Sequence, residues 1–164
     1  MVLLSLEIRA ELENLTNLQP SDASEFPYFF KVKCNSCGEI TEKYSSITFS
    51  EWVDLPNSRG KAHLVQRCKF CSREGSITML EGKGKPYTQD DSEGRKYVPM
   101  ACFDCRGIEP CEFLFRSGWI ATGASSGAKF EDIDLTDGEF AEYDEKASCP
   151  VGIGNLEHQI VVTK

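Results

Sequence analysis

Two short cysteine pairs constrain this chain more than any other feature. They are Cys34-Asn35-Ser36-Cys37, followed by Gly38, and Cys68-Lys69-Phe70-Cys71, followed by Ser72. Each comes after a run that reads as a strand, Phe26 to Val32 before the first and Ala62 to Gln66 before the second. In a Cys-x-x-Cys knuckle the two intervening residues turn the chain so that both sulfurs face one point, and a glycine just after lets backbone N–H groups approach them. Two knuckles supply four thiolates, Cys34, Cys37, Cys68 and Cys71, and Zn²⁺ suits such a cage because it accepts a tetrahedral sulfur shell and is redox-inert. Four protein sulfurs leave no open coordination position, so the expected site is structural rather than catalytic. No thioredoxin-like βαβ pattern surrounds either pair, which argues against a redox dithiol. The separation of the pairs exceeds that of a bare zinc ribbon and leaves room for strands between them.

Charge and hydropathy narrow the function classes. Lys+Arg number 18 against 26 Asp+Glu, a formal net charge of −8, so the overall field repels phosphate backbones and no nucleic-acid partner is expected. The apolar start from Met1 to Leu6 lacks a basic leader and is interrupted by Glu7, Arg9 and Glu11, so it does not read as a targeting segment. No run approaches the ~18 apolar residues of a membrane span. With no secretory signal, the eight cysteines read as reduced thiols and metal ligands, and a cytoplasmic or nuclear monomer with no membrane contact is expected.

Strand patterns dominate the chain. Leu4, Leu6, Ile8, Ala10 and Leu12 alternate with polar residues, which puts charge on one face of a strand but all round a helix. Asn14 to Glu25 reads as a loop, Glu39 to Val53 as one or two strands, Asp54 to Gly60 as a loop, and Gly75 to Leu80 as a strand. Glu81 to Arg95, rich in glycine and charge, reads as a connector. Beyond it Val98 to Cys105 is strand-like, Thr136 to Lys146 reads as a solvated acidic loop, and Gln159 to Val162 as a final strand. The expected fold is mainly β, with two related small sheet- or sandwich-like halves, residues 1–82 and 96–164, joined by 83–95, and with the zinc knuckles on hairpins of the first half.

The second half reads as a worn copy of the first. Cys102-Phe103-Asp104-Cys105 is again a Cys-x-x-Cys after a strand, but Cys149-Pro150-Val151-Gly152 stands where a fourth pair is expected. Glycine cannot ligate through a side chain, so this degenerate cage has three thiolates, with His158 or Cys111 as candidate fourth ligands. His63 reads as a strand residue, and Trp52, Trp119 and the Phe26 to Phe30 cluster as core.

At the two knuckles, at Gly107-Ile108-Glu109-Pro110, at Tyr143-Asp144-Glu145-Lys146-Ala147, at Leu12 to Leu18 and at Val151-Gly152-Ile153, the chain resembles the CXXC-motif-containing zinc-binding proteins, nearly end to end. The resemblance implies an intracellular, mainly β protein with two related halves. It also implies one zinc per chain, held at the positions of Cys34, Cys37, Cys68 and Cys71. It implies no reaction. The expected function is therefore a non-enzymatic zinc-stabilised binding or adaptor protein with protein partners, linked to metal homeostasis through its spare thiols. The alternative is a zinc-scaffolded thiol oxidoreductase with Cys149 or the Cys102/Cys105 pair as nucleophile, although acids crowd Cys149 and raise a thiol pKa. A structural zinc contributes an apparent ~10–16 kcal/mol in small domains, so the cage is expected to act as part of the fold.

Overall fold

The computed structural model describes residues 2–56 and 58–163; Asn57, within the turn-rich stretch before Lys61, lies outside them, as does Met1 at the apolar start. The chain folds into β1 (Val2–Glu13), β2 (Leu15–Pro20), β3 (Tyr28–Cys34), β4 (Ser45–Ile47), β5 (Val53–Asp54), β6 (Lys61–Ala62), β7 (Leu64–Arg67) and β8 (Glu74–Leu80). Then follow α1 (Gln89–Glu93), β9 (Val98–Arg106), β10 (Ile108–Leu114), β11 (Trp119–Gly123), β12 (Lys129–Ile133), β13 (Phe140–Asp144) and β14 (Cys149–Val162). The mainly β class is as the alternation indicates. Among the described residues no helix is long and apolar enough to cross a membrane.

All described strand pairs are antiparallel. One sheet of six strands runs β13-β14-β1-β9-β8-β7, and two sheets of three run β10-β3-β4 and β12-β11-β2. Residues 1–82 and 96–164 thus exchange strands: β1 is hydrogen-bonded between β9 and β14, β3 pairs with β10, and β2 pairs with β11. Neither stretch completes any of these three sheets alone. Among the described residues one apolar cluster fills the interior, from Leu6 and Ile8 of β1 through Phe30 of β3 and Phe103 of β9 to Trp119 of β11. Phe30 meets Phe103 edge-on with centroids 5.3 Å apart, and Tyr28 and Phe113 pack beside them. Such edge-to-face pairs set the positively polarised rim of one ring on the negative face of the next. Trp119 is fully buried, with Phe26 at 5.1 Å.

Two sequence expectations are corrected. Asn14 to Glu25 contains strand β2, because Leu15 and Leu18 point into the core while Asn14 and Asn17 take left-handed φ of 55° and 56° at a corner and within an irregular stretch of the ladder. Thr136 to Lys146 contains strand β13 on the edge of the large sheet, where a central run of exposed residues hides the alternation. The 83–95 connector is itself packed against the fold. Tyr87 is fully buried and pairs its backbone with Leu18, and Thr88 caps α1 by accepting the Asp91 N–H while the Asp91 carboxylate accepts the Thr88 N–H. Ser92 Oγ then accepts the Leu12 N–H of β1 at 2.8 Å.

Candidate metal centre

Cys34 is the last residue of β3, and beyond it the chain reverses within five residues. The Gly38 N–H donates to the Cys34 carbonyl (2.8 Å) and the Cys34 N–H to that of Glu39 (2.9 Å), with Gly38 at φ +81°. An L side chain there is strained, so glycine is the residue that closes this turn. The second knuckle joins β7 to β8 in the same manner. Ser72 N–H donates to Cys68 (3.0 Å), Cys68 N–H donates to Arg73 (2.9 Å), and Ser72 sits at φ +64°. The first knuckle is tied to β10 through the Asn35 N–H, which donates to the Gly107 carbonyl at 3.0 Å.

The structure brings all four sulfurs together, each within 4.8 Å of the others. Cys34 Sγ lies 3.6 Å from Cys71 Sγ, and Cys37 Sγ lies 3.5 Å from Cys68 Sγ. A tetrahedral zinc with Zn–S bonds of about 2.3 Å has S···S edges of about 3.8 Å, so the donor set fits that ion with small adjustments. Backbone amides prepare the thiolates. Cys34 Sγ accepts the N–H groups of Cys37 and Ser36 and its pKa is pulled down to about 6; Cys68 accepts those of Cys71 and Phe70 and is lowered too. Cys37 and Cys71 each accept one N–H, from Glu39 and Arg73, and burial and neighbouring sulfurs nonetheless push them up. Metal binding displaces those protons.

A four-thiolate zinc would be formally dianionic, and basic residues stand on and beside the knuckles. Lys33 lies just before Cys34, and exposed Arg67, Lys69 and Arg73 surround the second pair. Arg67 Nε donates to the Ser72 carbonyl (3.0 Å), and Arg73 Nη1 donates to Ser36 Oγ (3.4 Å), linking one knuckle to the other. The Arg73–Ser36 link has no spacing signal in the sequence. Between the two ligands of the second knuckle Phe70 stands 74% exposed, and Ile40, just past the first, 50% exposed.

The other candidate ligands are not gathered. Cys102 and Cys105 lie within β9, three residues apart and so on opposite faces, both buried, Cys102 beside Ser5 and Leu80 and Cys105 beside Val2 and Ile77. Burial, with Glu109 and Asp104 adding, pushes the Cys105 thiol up to about 12, and burial raises Cys102 as well. Cys111 stands in the β10 bulge and donates to the Lys31 carbonyl at 3.4 Å. His158 Nε2 faces the Phe113 N–H at 3.3 Å, and Cys149 opens β14 opposite Asp144. Among the described residues only Cys34, Cys37, Cys68 and Cys71 form a metal-sized group, so the expected cage of Cys102, Cys105 and Cys149 is not built.

His63 is more than a half-buried strand residue. It sits between β6 and β7, 5% exposed, where Nδ1 accepts the Met79 N–H (2.8 Å) and Nε2 donates to the Phe49 carbonyl (2.8 Å). Both nitrogens are used only by the neutral ring, and burial lowers its pKa. Trp52, expected in the core, is 47% exposed and covers this imidazole at 3.9 Å between ring centroids. A surface cleft of about 260 Å³ lies between the 19–24 and 81–86 segments over Tyr28, Phe49, Met79 and Met100; none of the eight cysteines lines it.

Comparison with known proteins agrees with the site. The profile of the family described as CXXC motif containing zinc binding protein, eukaryotic, matches residues 5–161. The chain is 44% identical to the Xenopus laevis protein of that name over 159 residues, covering 97% of this chain and 98% of that one. With the Homo sapiens protein of that name it shares 42% over 158 residues, 96% and 97% of the two chains. The crystal structure of C1orf123 superposes with a TM-score of 0.90 at 40% identity, covering 98% of this chain and 99% of that one. A hypothetical protein from Plasmodium falciparum has the same fold, with a TM-score of 0.84 at 24% identity, over 98% of this chain and 100% of that one.

Proposed function

Since the chain belongs to the eukaryotic CXXC motif containing zinc binding proteins, we propose that it holds one zinc ion per chain as part of its fold and acts as a non-enzymatic protein-binding module. The observation that carries this reading is Phe70, an aromatic ring held 74% exposed between two thiolate ligands, with Ile40 beyond the facing knuckle. An aromatic residue on a surface rigidified by a metal has little ordering entropy left to lose on docking, and aromatics dominate the energetics of protein interfaces. The basic rim of Lys33, Arg67, Lys69 and Arg73 on a chain of net charge −8 fits a partner segment with acidic groups flanking an apolar anchor. Eight free cysteines fit a reducing compartment, cytoplasm or nucleus.

A coordination shell closed by four sulfurs supports a structural rather than catalytic ion. The oxidoreductase alternative finds little support, because buried Cys102 and Cys105 have raised thiol pKa values where that chemistry requires lowered ones. A role in metal homeostasis through spare thiols is likewise unsupported by their placement, which scatters them.

The test uses a photo-cross-linking residue at position 70 of the zinc-loaded chain. A discrete adduct should be competed away by excess wild-type protein but not by an excess of the Phe70→Asp/Ile40→Asp variant with the same zinc content. Equal competition by that variant contradicts the proposal.

A further inference from the structure

The strand order of the sheets is a palindrome. Exchanging β1 with β9, β7 with β13 and β8 with β14 maps the six-stranded sheet onto itself about its central β1–β9 pair. Exchanging also β2 with β10, β3 with β11 and β4 with β12 maps one three-stranded sheet onto the other. Corner residues correspond too: Asn14 (φ +55°) between β1 and β2, and Gly107 (φ +77°) between β9 and β10. This correspondence assigns a counterpart to each zinc knuckle, and it is not the one that the cysteine spacing suggests.

At the end of β3, Cys34 pairs with Ile108, the first residue of β10; at the end of β11, Gly123 pairs with Leu15, the first residue of β2. The Gly127 N–H donates to the Gly123 carbonyl (2.9 Å) and the Gly123 N–H to that of Ala128 (2.7 Å), as Gly38, Cys34 and Glu39 do. Gly127 has φ +71°, against +81° at Gly38. The Ala124 N–H donates to Asn14 at 2.9 Å, as that of Asn35 does to Gly107 at 3.0 Å. Cys34-Asn35-Ser36-Cys37-Gly38 thus corresponds to Gly123-Ala124-Ser125-Ser126-Gly127. In the β13–β14 turn Asp144 pairs with Cys149 and Ser148 has φ +53°, so Cys68 corresponds to Asp144, Cys71 to Ala147 and Ser72 to Ser148.

The chemistry at these positions is preserved in kind. Asp144 is 2% exposed, and its Oδ1 accepts the N–H groups of Lys146 (3.0 Å) and Ala147 (3.1 Å), two and three residues on, as Cys68 Sγ accepts those of Phe70 and Cys71. Ser126 Oγ accepts the Ala128 N–H at 3.0 Å, as Cys37 Sγ accepts that of Glu39. Across the gap Ser126 Oγ donates to Asp144 Oδ2 at 2.5 Å, between the positions corresponding to Cys37 and Cys68. A side chain added at Gly123 would start 2.5 Å from Asp144 Oδ2 and 2.6 Å from Ser126 Oγ, so a third direction converges on this point.

We propose that Gly123, Ser126, Asp144 and Ala147 form a lapsed four-ligand metal site, in which the part-buried Ser126–Asp144 hydrogen bond clamps two knuckles as metal clamps the first pair. With two side-chain donors instead of four, this second site needs no ion. Its knuckle geometry nevertheless still suits thiolates, and metal removal should loosen the first pair of knuckles while leaving the second closed.

The direct test refits the site. The variant Gly123→Cys/Ser126→Cys/Asp144→Cys/Ala147→Cys, titrated with zinc alone and with cobalt(II) as an optical reporter of tetrahedral thiolate ligation, should bind two equivalents against one for the wild type. A folded variant that still binds one overturns the proposal. Should the variant not fold, the clamp is read from thermal melts at saturating zinc. Asp144→Ala should lower Tm by at least about 5 °C with zinc content unchanged. Asp144→Asn, whose amide can accept the two N–H groups and donate to Ser126, should recover at least half of that loss. An Ala variant as stable as wild type, or an Asn variant no better than Ala, overturns the clamp.

Discussion

Gly107 offers a sharp test of how the fold holds the metal centre. It joins β9 to β10 at φ +77°, and its carbonyl accepts the Asn35 N–H from within the first knuckle. A Cβ there would sit 3.2 Å from the Glu74 carbonyl oxygen and 3.4 Å from Gly75 Cα, both backbone atoms of β8 just after the second knuckle. Gly107→Ala therefore meets two costs. Left-handed backbone costs an L residue ~1–2 kcal/mol, and the close approach to β8 adds roughly 1 kcal/mol, because backbone on a paired strand yields little. A total of roughly 2–3 kcal/mol corresponds to a Tm decrease of roughly 5–10 °C for a chain of this size. The strain falls on the contact that anchors Asn35 and the strand that follows Cys71, so zinc transfer to a coloured chelator should also quicken. The control is Asn14→Ala, at the corresponding corner of β1 and β2, which should lose stability through its own left-handed φ without changing zinc transfer. A Gly107→Ala chain that melts within a degree of wild type, or an equal effect of both variants on zinc transfer, would refute the reasoning.

Three further outcomes follow from particular side chains. Phe30→Ala removes a fully buried ring packed on Phe103 and Phe113 and should cost ~3–5 kcal/mol in denaturant unfolding, with zinc content retained; a loss below 1 kcal/mol would contradict the packing described. His63 is held neutral, so its folded pKa lies below the unfolded value of about 6.5, and the unfolded chain binds more protons as pH falls. Its contribution is therefore full above that value and lost as pH falls below it toward the folded pKa. At excess zinc, the decline in Tm from pH 7 to 5 should be shallower in His63→Gln than in wild type, and parallel curves would contradict this assignment. Cys105, with its thiol pushed up to about 12 by burial first, should be alkylated in the folded chain at neutral pH far more slowly than free cysteine. A rate equal to that of free cysteine would count against its burial and revive the oxidoreductase reading.

The sequence made β1 legible because its apolar residues keep strict alternation from Leu4 to Leu12, and it made the metal centre legible because Cys-x-x-Cys is a local geometry. It concealed β2, since Asn14 and Asn17 read as loop residues although each only turns or irregularly displaces a strand. It concealed β13, whose successive exposed residues carry no alternation. The cage expected from Cys102, Cys105 and Cys149 is absent because Cys102 and Cys105 imitate a knuckle within an extended strand, where they lie on opposite faces. Under the proposed strand correspondence, the counterpart of the first knuckle is Gly123 to Gly127, which has a glycine at φ +71° and no cysteine. A search by cysteine spacing finds ligands only, not the backbone turns that present them.

The most direct measurement is the zinc content per chain of protein purified without added metal, for wild type and for Cys34→Ser, Cys71→Ser and Cys102→Ser. The four-sulfur site predicts one zinc in wild type and in Cys102→Ser, with metal lost and the chain prone to aggregate in the other two. Zinc retained at one equivalent in a well-folded Cys34→Ser chain, or a second equivalent that disappears with Cys102, would contradict the account.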